Sequence, residues 1–258
     1  MSELENKVNQ LKSLIDAQNL DTAKITNLLK ELKEQMIHTS FLTNEENKIS
    51  EKDRLAYRTV LECDAILHIK TKNVKQFALD IQKLKTVYFR EESALPKSDK
   101  MPLLLSTYLV YLLTQGQIVE FNIEIPNFRK LVGKNQFLDY STELLHAVVD
   151  NSFTQLFNLN AKVPSPLFQN FTSLILDGAR HSHADSLERS YKRLKLDELV
   201  QILHFENADQ AKQFIDQRGW TLTKNNFIKF THTEEKEKIA DDEAARYVDL
   251  AIRLSGMP

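Results

Sequence analysis

Along the first two-thirds of the chain, apolar side chains recur at helical spacing. Leu4, Val8, Leu11 and Ile15 follow one another at intervals of four and three, which places them on one stripe of a helix. Asp21 is an N-cap candidate for a second helix striped by Ile25, Leu28, Leu29, Leu32 and Met36. Ser50 opens a longer one with Leu55, Val60, Leu61 and Leu67, and Asn73 opens another with Phe77, Ile81 and Leu84. Ala94–Asp99 reads as a loop. Met101–Thr114 is apolar nearly all round, which predicts a central, buried helix. Helices with one apolar stripe and short links bury those stripes by stacking in antiparallel pairs. Residues 1–165 are therefore expected to form a helical-repeat-like (TPR-like) array. No signature motif repeats, so an irregular helical bundle is the alternative.

Pro126–Pro166 is less regular, with one or two helices expected between Thr142 and Leu159 and a break at Pro164 and Pro166. A helix should follow from about Pro166 to beyond Ala179, with Phe168, Phe171, Leu174 and Ile175 inward. Past Ser182 the texture changes. Ser190–Leu196 is a short polar-apolar stretch. Asp197–Phe205 predicts a helix with Leu199, Ile202 and Leu203 inward. Ala208–Gln217 predicts another with Ala211, Phe214 and Ile215 inward, and Gly219 suits its stop. Two short strands come next: Trp220 shares a face with Leu222, and Ile228 with Phe230, around a Lys224-Asn225-Asn226 turn where Asn tolerates positive φ. Helix, helix, hairpin is a winged-helix layout, expected over residues 166–232 with its lead-in helix. Residues 233–258 complete the chain: Thr231–Asp241 reads as a solvated charged linker, and Asp241–Ser255 as an amphipathic helix. The fold class is thus mainly α, a helical array followed by a winged-helix module and a C-terminal helix.

Composition narrows the function. The 258 residues carry 34 basic and 36 acidic side chains, so no global charge draws the chain to nucleic acid or an anionic membrane. The five glycines stand far apart, which removes the Gly-rich phosphate loop. Met101–Leu113, the longest apolar run, is too short to cross ~30 Å of hydrocarbon. The N-terminus lacks a signal-peptide pattern. The lone Cys63 cannot form an intramolecular disulfide or a cysteine zinc cluster, and its apolar neighbours predict a buried thiol. A soluble intracellular protein is expected.

Candidate chemistry is sparse. His181 and His183 form an H-x-H, but on a helix positions i and i+2 point about 200° apart. Asp177, His181 and Asp185 do align at i, i+4, i+8, but a polar helix face or helix end with weak ion pairs is expected there rather than a metal site. No nucleophile elbow, paired-carboxylate or Walker pattern appears, so neither catalytic residue, cofactor nor metal is expected. Across Leu194–Phe230 five cations (Lys195, Lys212, Arg218, Lys224, Lys229) meet five anions (Asp197, Glu198, Glu206, Asp209, Asp216), so a nucleic-acid reading of the winged helix lacks the basic recognition helix it requires. A hairpin with an unpaired edge instead favours protein contact. Trp220, first in its strand, is read as core.

Asp216–Phe230 ("DQRGWTLTKNNFIKF"), preceded by Glu198–Ile215 ("ELVQILHFENADQAKQFI"), closely resembles the winged-helix end of the PCI-type lid subunits of the 26S proteasome regulatory particle, of the non-ATPase subunit 8 kind. Val87–Ile125 is similar to that family's middle segment, with Leu112–Gln115 and Glu120–Phe121 in its order, and Phe171–Tyr191 to its lead-in helix. The similarity is collinear over most of the chain and weakest in the first ~50 residues. It implies a non-catalytic scaffold in cytoplasm and nucleus, whose partners are other PCI lid subunits, met through winged-helix edges and a C-terminal helical bundle, with base subunits as further partners. On that basis the interface residues are Thr221, Thr223 and Lys229 near the wing, with Val248, Ala251, Ile252 and Leu254 on the last helix. Two features depart from the family: the end Gly256-Met257-Pro258, where relatives are apolar, and Ala179–Ser186, which sets His183 at a usually buried apolar position. Related domains occur in subunit 8 of the COP9 signalosome and subunit k of translation initiation factor 3, which remain alternatives, as does a nucleic-acid-binding winged helix.

Overall fold

The computed structural model describes residues 3–16, 22–38, 50–90, 96–205 and 207–230. Among these residues the chain forms eleven helices and three short strands. Eight helices precede the winged module: α1 (Glu3–Asp16), α2 (Thr22–His38), α3 (Glu51–Lys70), α4 (Val74–Arg90), α5 (Met101–Thr114), α6 (Ile118–Val132), α7 (Gln136–Val149) and α8 (Phe153–Ala161). They pack as sequential pairs, α1 on α2, α3 on α4, α5 on α6 and α7 on α8. The first helix of each pair also contacts the first helix of the next, α1 on α3, α3 on α5 and α5 on α7. That is the connectivity of a helical-repeat array, in which each pair hides its stripe against its neighbours.

Local sequence explains the boundaries. Asn73 Oδ1 accepts from Gln76 N at 3.4 Å at the head of α4, and Asn135 Oδ1 accepts from Phe137 N at 2.9 Å at the head of α7. Phe77, Ile81 and Leu84 are fully buried, as their spacing predicts. Pro126 does not break α6, which continues to Val132. Pro126 and Asn122 are both exposed, so the carbonyl left without its i+4 donor faces water. The helix expected near Thr142 begins earlier, at Gln136, and is separate from α8.

Packing divides the chain into residues 1–176 and 177–258, and α9 (Pro166–Ser190) contributes to both units. In the first unit its aromatic rings close a seam. Phe171 lies 6.0 Å from Phe77 of α4 and 6.2 Å from Tyr111 of α5, while Phe168 meets Phe137 at 6.1 Å and Tyr140 at 5.5 Å. Leu174, expected inward, is 58% exposed; Thr172 and Leu176 take the inner stripe instead. At 100° per residue Leu174 falls about 120° away from Phe168, and Thr172 turns its hydroxyl back to Phe168 O at 3.3 Å, which lets a polar residue occupy the buried face.

The second unit holds the rest of α9, then β1 (Arg193–Lys195), α10 (Leu196–Ile202), α11 (Ala208–Arg218), β2 (Thr221–Leu222) and β3 (Phe227–Lys229). Its core gathers Leu194, Leu199, Leu203, Phe214, Trp220 and Ile228 among others. Trp220 is 4% exposed, edge-on to Phe230 at 4.8 Å, so it belongs to the core. Ile202, expected inward, is 39% exposed at the end of α10.

Phe168 tests the seam. Phe168→Ala should destabilise the protein by about 3–5 kcal/mol in urea unfolding, through lost burial and a cavity between α7 and α9. A loss below about 1 kcal/mol would show that the seam does not hold the array together.

Candidate protein-interaction site

The winged module is built by two backbone reversals. Gly219, at φ +70°, ends α11, and Trp220 N donates back to Ile215 O at 3.1 Å, which turns the chain into β2. Asn226, at φ +57°, completes the hairpin: Thr223 N donates to Phe227 O at 2.8 Å and Asn226 N to Thr223 O at 3.0 Å. The sheet order is β1-β3-β2, antiparallel throughout. β3 is central, so β1 and β2 are the edges.

Three of the expected interface residues come together here. Thr221 is exposed on the β2 edge. Lys229 is exposed but sits on the central strand, paired to Arg193 on one side and Thr221 on the other. Its backbone is therefore committed within the sheet, and only its side chain is offered outward. Thr223 is half-buried, its hydroxyl donating to Phe227 O within the turn. Val248, Ala251, Ile252 and Leu254 lie outside the described residues. Sequence reasoning missed β1. The signal was an alternation of only three residues, exposed Arg193, buried Leu194 and exposed Lys195.

The row of Asp177, His181 and Asp185 on α9 meets an arginine. Arg218 donates to Asp185 Oδ1 at 2.5 Å and to His181 O at 2.6 Å, and its guanidinium lies 3.1 Å from His181 Nδ1. The same guanidinium stands over Phe214 and Trp220, 5.5 and 5.8 Å from their ring centroids. Asp177 pairs with Arg180 at 2.9 Å. The hydrogen bond from Arg218 is the leading cause that holds the Asp185 carboxyl below its ordinary pKa. On α11 the remaining lysine, Lys212, pairs with Asp209 at 3.1 Å. His183 is half-buried.

One group among the described residues has the composition of a metal site. Donor atoms of Asp64, His68 and Asp80 lie within 4.8 Å of one another, in the first unit. Cations already attend the carboxylates: Lys33 of α2 donates to Asp64, and Lys83 stands 3.6 Å from Asp80. His68 Nδ1 lies 2.6 Å from Asp80 Oδ2. Burial, then the Asp64 charge, pushes the Asp80 carboxyl above its usual pKa. The arrangement is that of a buried ion-pair network tying α2, α3 and α4. Cys63 is fully buried beside it in α3. No helix among the described residues is long and apolar enough to cross a membrane.

A family model described as the CSN8/PSMD8/EIF3K family matches residues 99–239, more than half of the chain. The chain is 27% identical over 234 residues to the 26S proteasome regulatory subunit RPN12 of Saccharomyces cerevisiae, covering 88% of this chain and 85% of that protein. Against the 26S proteasome non-ATPase regulatory subunit 8 of Caenorhabditis elegans it is 23% identical over 211 residues, 81% of this chain and 80% of the relative. Against the non-ATPase regulatory subunit 8 homolog A of Arabidopsis thaliana it is 22% identical over 185 residues, 71% and 69% of the two chains.

Arg218→Ala should return the Asp185 carboxyl upward toward the ordinary aspartate value in an NMR titration. Because the folded pKa is depressed, the pair stabilises the fold above the ordinary value, and that contribution disappears as pH falls through the lowered one. With Asp185 half-exposed the electrostatic loss at neutral pH should stay below about 1 kcal/mol. An unmoved Asp185 titration would remove the pair from this account.

Proposed function

The chain belongs to the CSN8/PSMD8/EIF3K family, and on that premise we propose that it is a non-catalytic scaffold subunit of the lid of a 26S proteasome regulatory particle. Its work is assembly by protein–protein contact, and through assembly it serves ubiquitin-dependent degradation in cytoplasm and nucleus. The observation that carries this reading is similarity spread over most of the chain to proteins named as 26S proteasome regulatory subunits in yeast, worm and plant. A second reading keeps the architecture and changes the complex, since the same family description includes CSN8 and EIF3K.

The physical basis is a division of labour. Residues 1–165 form the array, 166–232 the PCI winged module, and 233–258 the assembly segment. The module ends in a small sheet with edges at β1 and β2, and an unpaired edge offers backbone donors and acceptors to a strand of a neighbouring subunit. Thr221, at the β2 edge, and Thr223 and Lys229 beside it contact that neighbour. Beyond the module, Val248, Ala251, Ile252 and Leu254 supply an apolar stripe that joins helices of sister PCI subunits, with base subunits within reach of the same helix.

Burying a large apolar side chain contributes roughly 1.5–3 kcal/mol. Val248→Asp combined with Ile252→Asp should therefore weaken capture by about a hundredfold or more. Affinity purification of the tagged full-length chain followed by mass spectrometry reads both questions at once. Wild-type recovery of proteasome lid subunits, lost in the double variant with the fold intact by circular dichroism, is the expected result. Recovery of signalosome or initiation-factor subunits would reassign the complex, and unaltered lid recovery by the double variant would remove the helix from the interface.

A further inference from the structure

The outer face of the three-stranded sheet carries positive charge that no described carboxylate answers. Arg193 and Lys195 of β1 and Lys229 of β3 are all exposed. Strand register sets Arg193 directly opposite Lys229, and Lys195 opposite Phe227. Side chains directly opposed in an antiparallel pair have Cβ atoms about 4.5–5.5 Å apart, where like charges repel. The Arg193 guanidinium lies over the Phe227 ring, 5.5 Å from its centroid, so the shelf has an aromatic floor. Lys192 before β1 and Lys224 in the hairpin turn, both exposed, flank it. Ion pairs of this unit among the described residues run elsewhere, from Arg180 to Asp177, Lys212 to Asp209 and Arg218 to Asp185. Glu198, the acid nearest in sequence but one, accepts from the Lys195 backbone N–H at 3.2 Å.

Neutral bookkeeping across Leu194–Phe230 conceals this separation. Four of its five acids ride on α10 and α11 (Asp197 and Glu198; Asp209 and Asp216), whereas Lys195, Lys224 and Lys229 belong to the sheet and its turn, and Lys192 and Arg193 stand just outside the window. The missing countercharge follows immediately in the chain. Residues 231–243 hold six carboxylates (Glu234, Glu235, Glu237, Asp241, Asp242, Glu243) against two lysines. From Lys229 to Glu234 an extended chain spans up to about 17 Å. Adjacent strands lie only about 4.8 Å apart, so carboxylates of this stretch can reach β1. A short tether also supplies an effective concentration on the order of millimolar.

We propose that the acidic stretch Glu234–Glu243 lies across this cationic shelf, its carboxylates against Arg193, Lys195 and Lys229. The contact would shorten the apparent linker and hold the following apolar segment, Val248–Leu254, beside the wing of its own chain. It goes beyond membership of any complex and stands whichever partners the chain meets.

Zero-length carbodiimide coupling of the purified full-length chain tests it, because amide bonds form only between a lysine and a carboxylate already in contact. Lys229 is too near in sequence to be diagnostic; Lys195 and Lys192, on the far strand and before it, are diagnostic. At about 0.01 M salt, where the screening length is about 30 Å, monomers should yield peptides joining Lys195 or Lys192 to carboxylates of residues 234–243. Their yield should fall several-fold at about 1 M salt, and likewise in the variant Glu234→Gln/Glu235→Gln/Glu237→Gln. Local Lys195–Asp197 links report that the lysine remains reactive. Monomers without the long-range links would overturn the proposal. So would links found only between chains, rising with concentration, which would make a second copy the occupant. Wild-type binding of a short RNA duplex that disappears in Arg193→Ala would overturn it too, by showing the shelf open to a polyanion.

Discussion

The two-sided pairing of β3 is the constraint from which the rest of the winged module follows. Ile228 is fully buried, and the register puts it level with Leu194 of β1 and Leu222 of β2, so one apolar row crosses all three strands. A two-stranded hairpin is marginal in water, and β1, more than thirty residues upstream of Ile228, is the third strand. Because side chains alternate, sliding β3 by one residue would turn Ile228 to water and Lys229 into the core. The apolar row thus pins the polar one: Arg193, Lys229 and Thr221 are aligned on the outer face because Leu194, Ile228 and Leu222 are aligned on the inner.

Most helices were legible because their signal is long. Met101–Thr114 is recovered with both ends as expected; Val60, Leu61 and Leu67 of α3 and Phe77, Ile81 and Leu84 of α4 are buried, while Leu55 is half-buried. The misreadings share a physical cause, a local pattern overridden by solvent or by a neighbour. Pro126 opens a stretch that reads as less regular, yet on an exposed face it costs one hydrogen bond and α6 runs through it. Leu174 reads as core, yet helix phase hands the buried face to Thr172, whose hydroxyl bonds its own backbone. β1 was invisible because three residues of alternation cannot be told from a linker; only pairing with a distant strand identifies them. At the site, the neutral charge count was legible and its spatial separation was not, since burial and register decide which charges share a face. The position of Lys229 on the central strand likewise depends on β1.

Buried polar groups in the first unit do structural work of a different kind. Tyr88 donates to Glu62 at 2.9 Å between α4 and α3, and Ser141 Oγ donates to Ser106 O at 3.2 Å between α7 and α5. Burial is the first cause that raises the Tyr88 pKa, with the Glu62 charge adding to it, so this phenol remains a donor. Burial pushes the Tyr140 phenol up to about 12 as well, beside the Phe168 ring. Asp80 has the opposite linkage sign to Asp185. Its raised pKa means the folded protein binds that proton more tightly than the unfolded chain does, so its ionisation weighs against the fold as pH rises through the carboxylate range. His68 and Lys83 beside it offset that cost. Such networks favour one registry of helix on helix where apolar stripes alone would tolerate several.

Trp220 is the chain's single tryptophan, and it is wedged edge-on between Phe214 and Phe230. Indole emission is therefore a private optical signal of the winged module, while far-ultraviolet dichroism is dominated by the helices of the array. Melting the chain with both probes separates the fates of its two halves without a label. If the traces coincide, the halves lose order as one cooperative unit; if they part, each has its own transition.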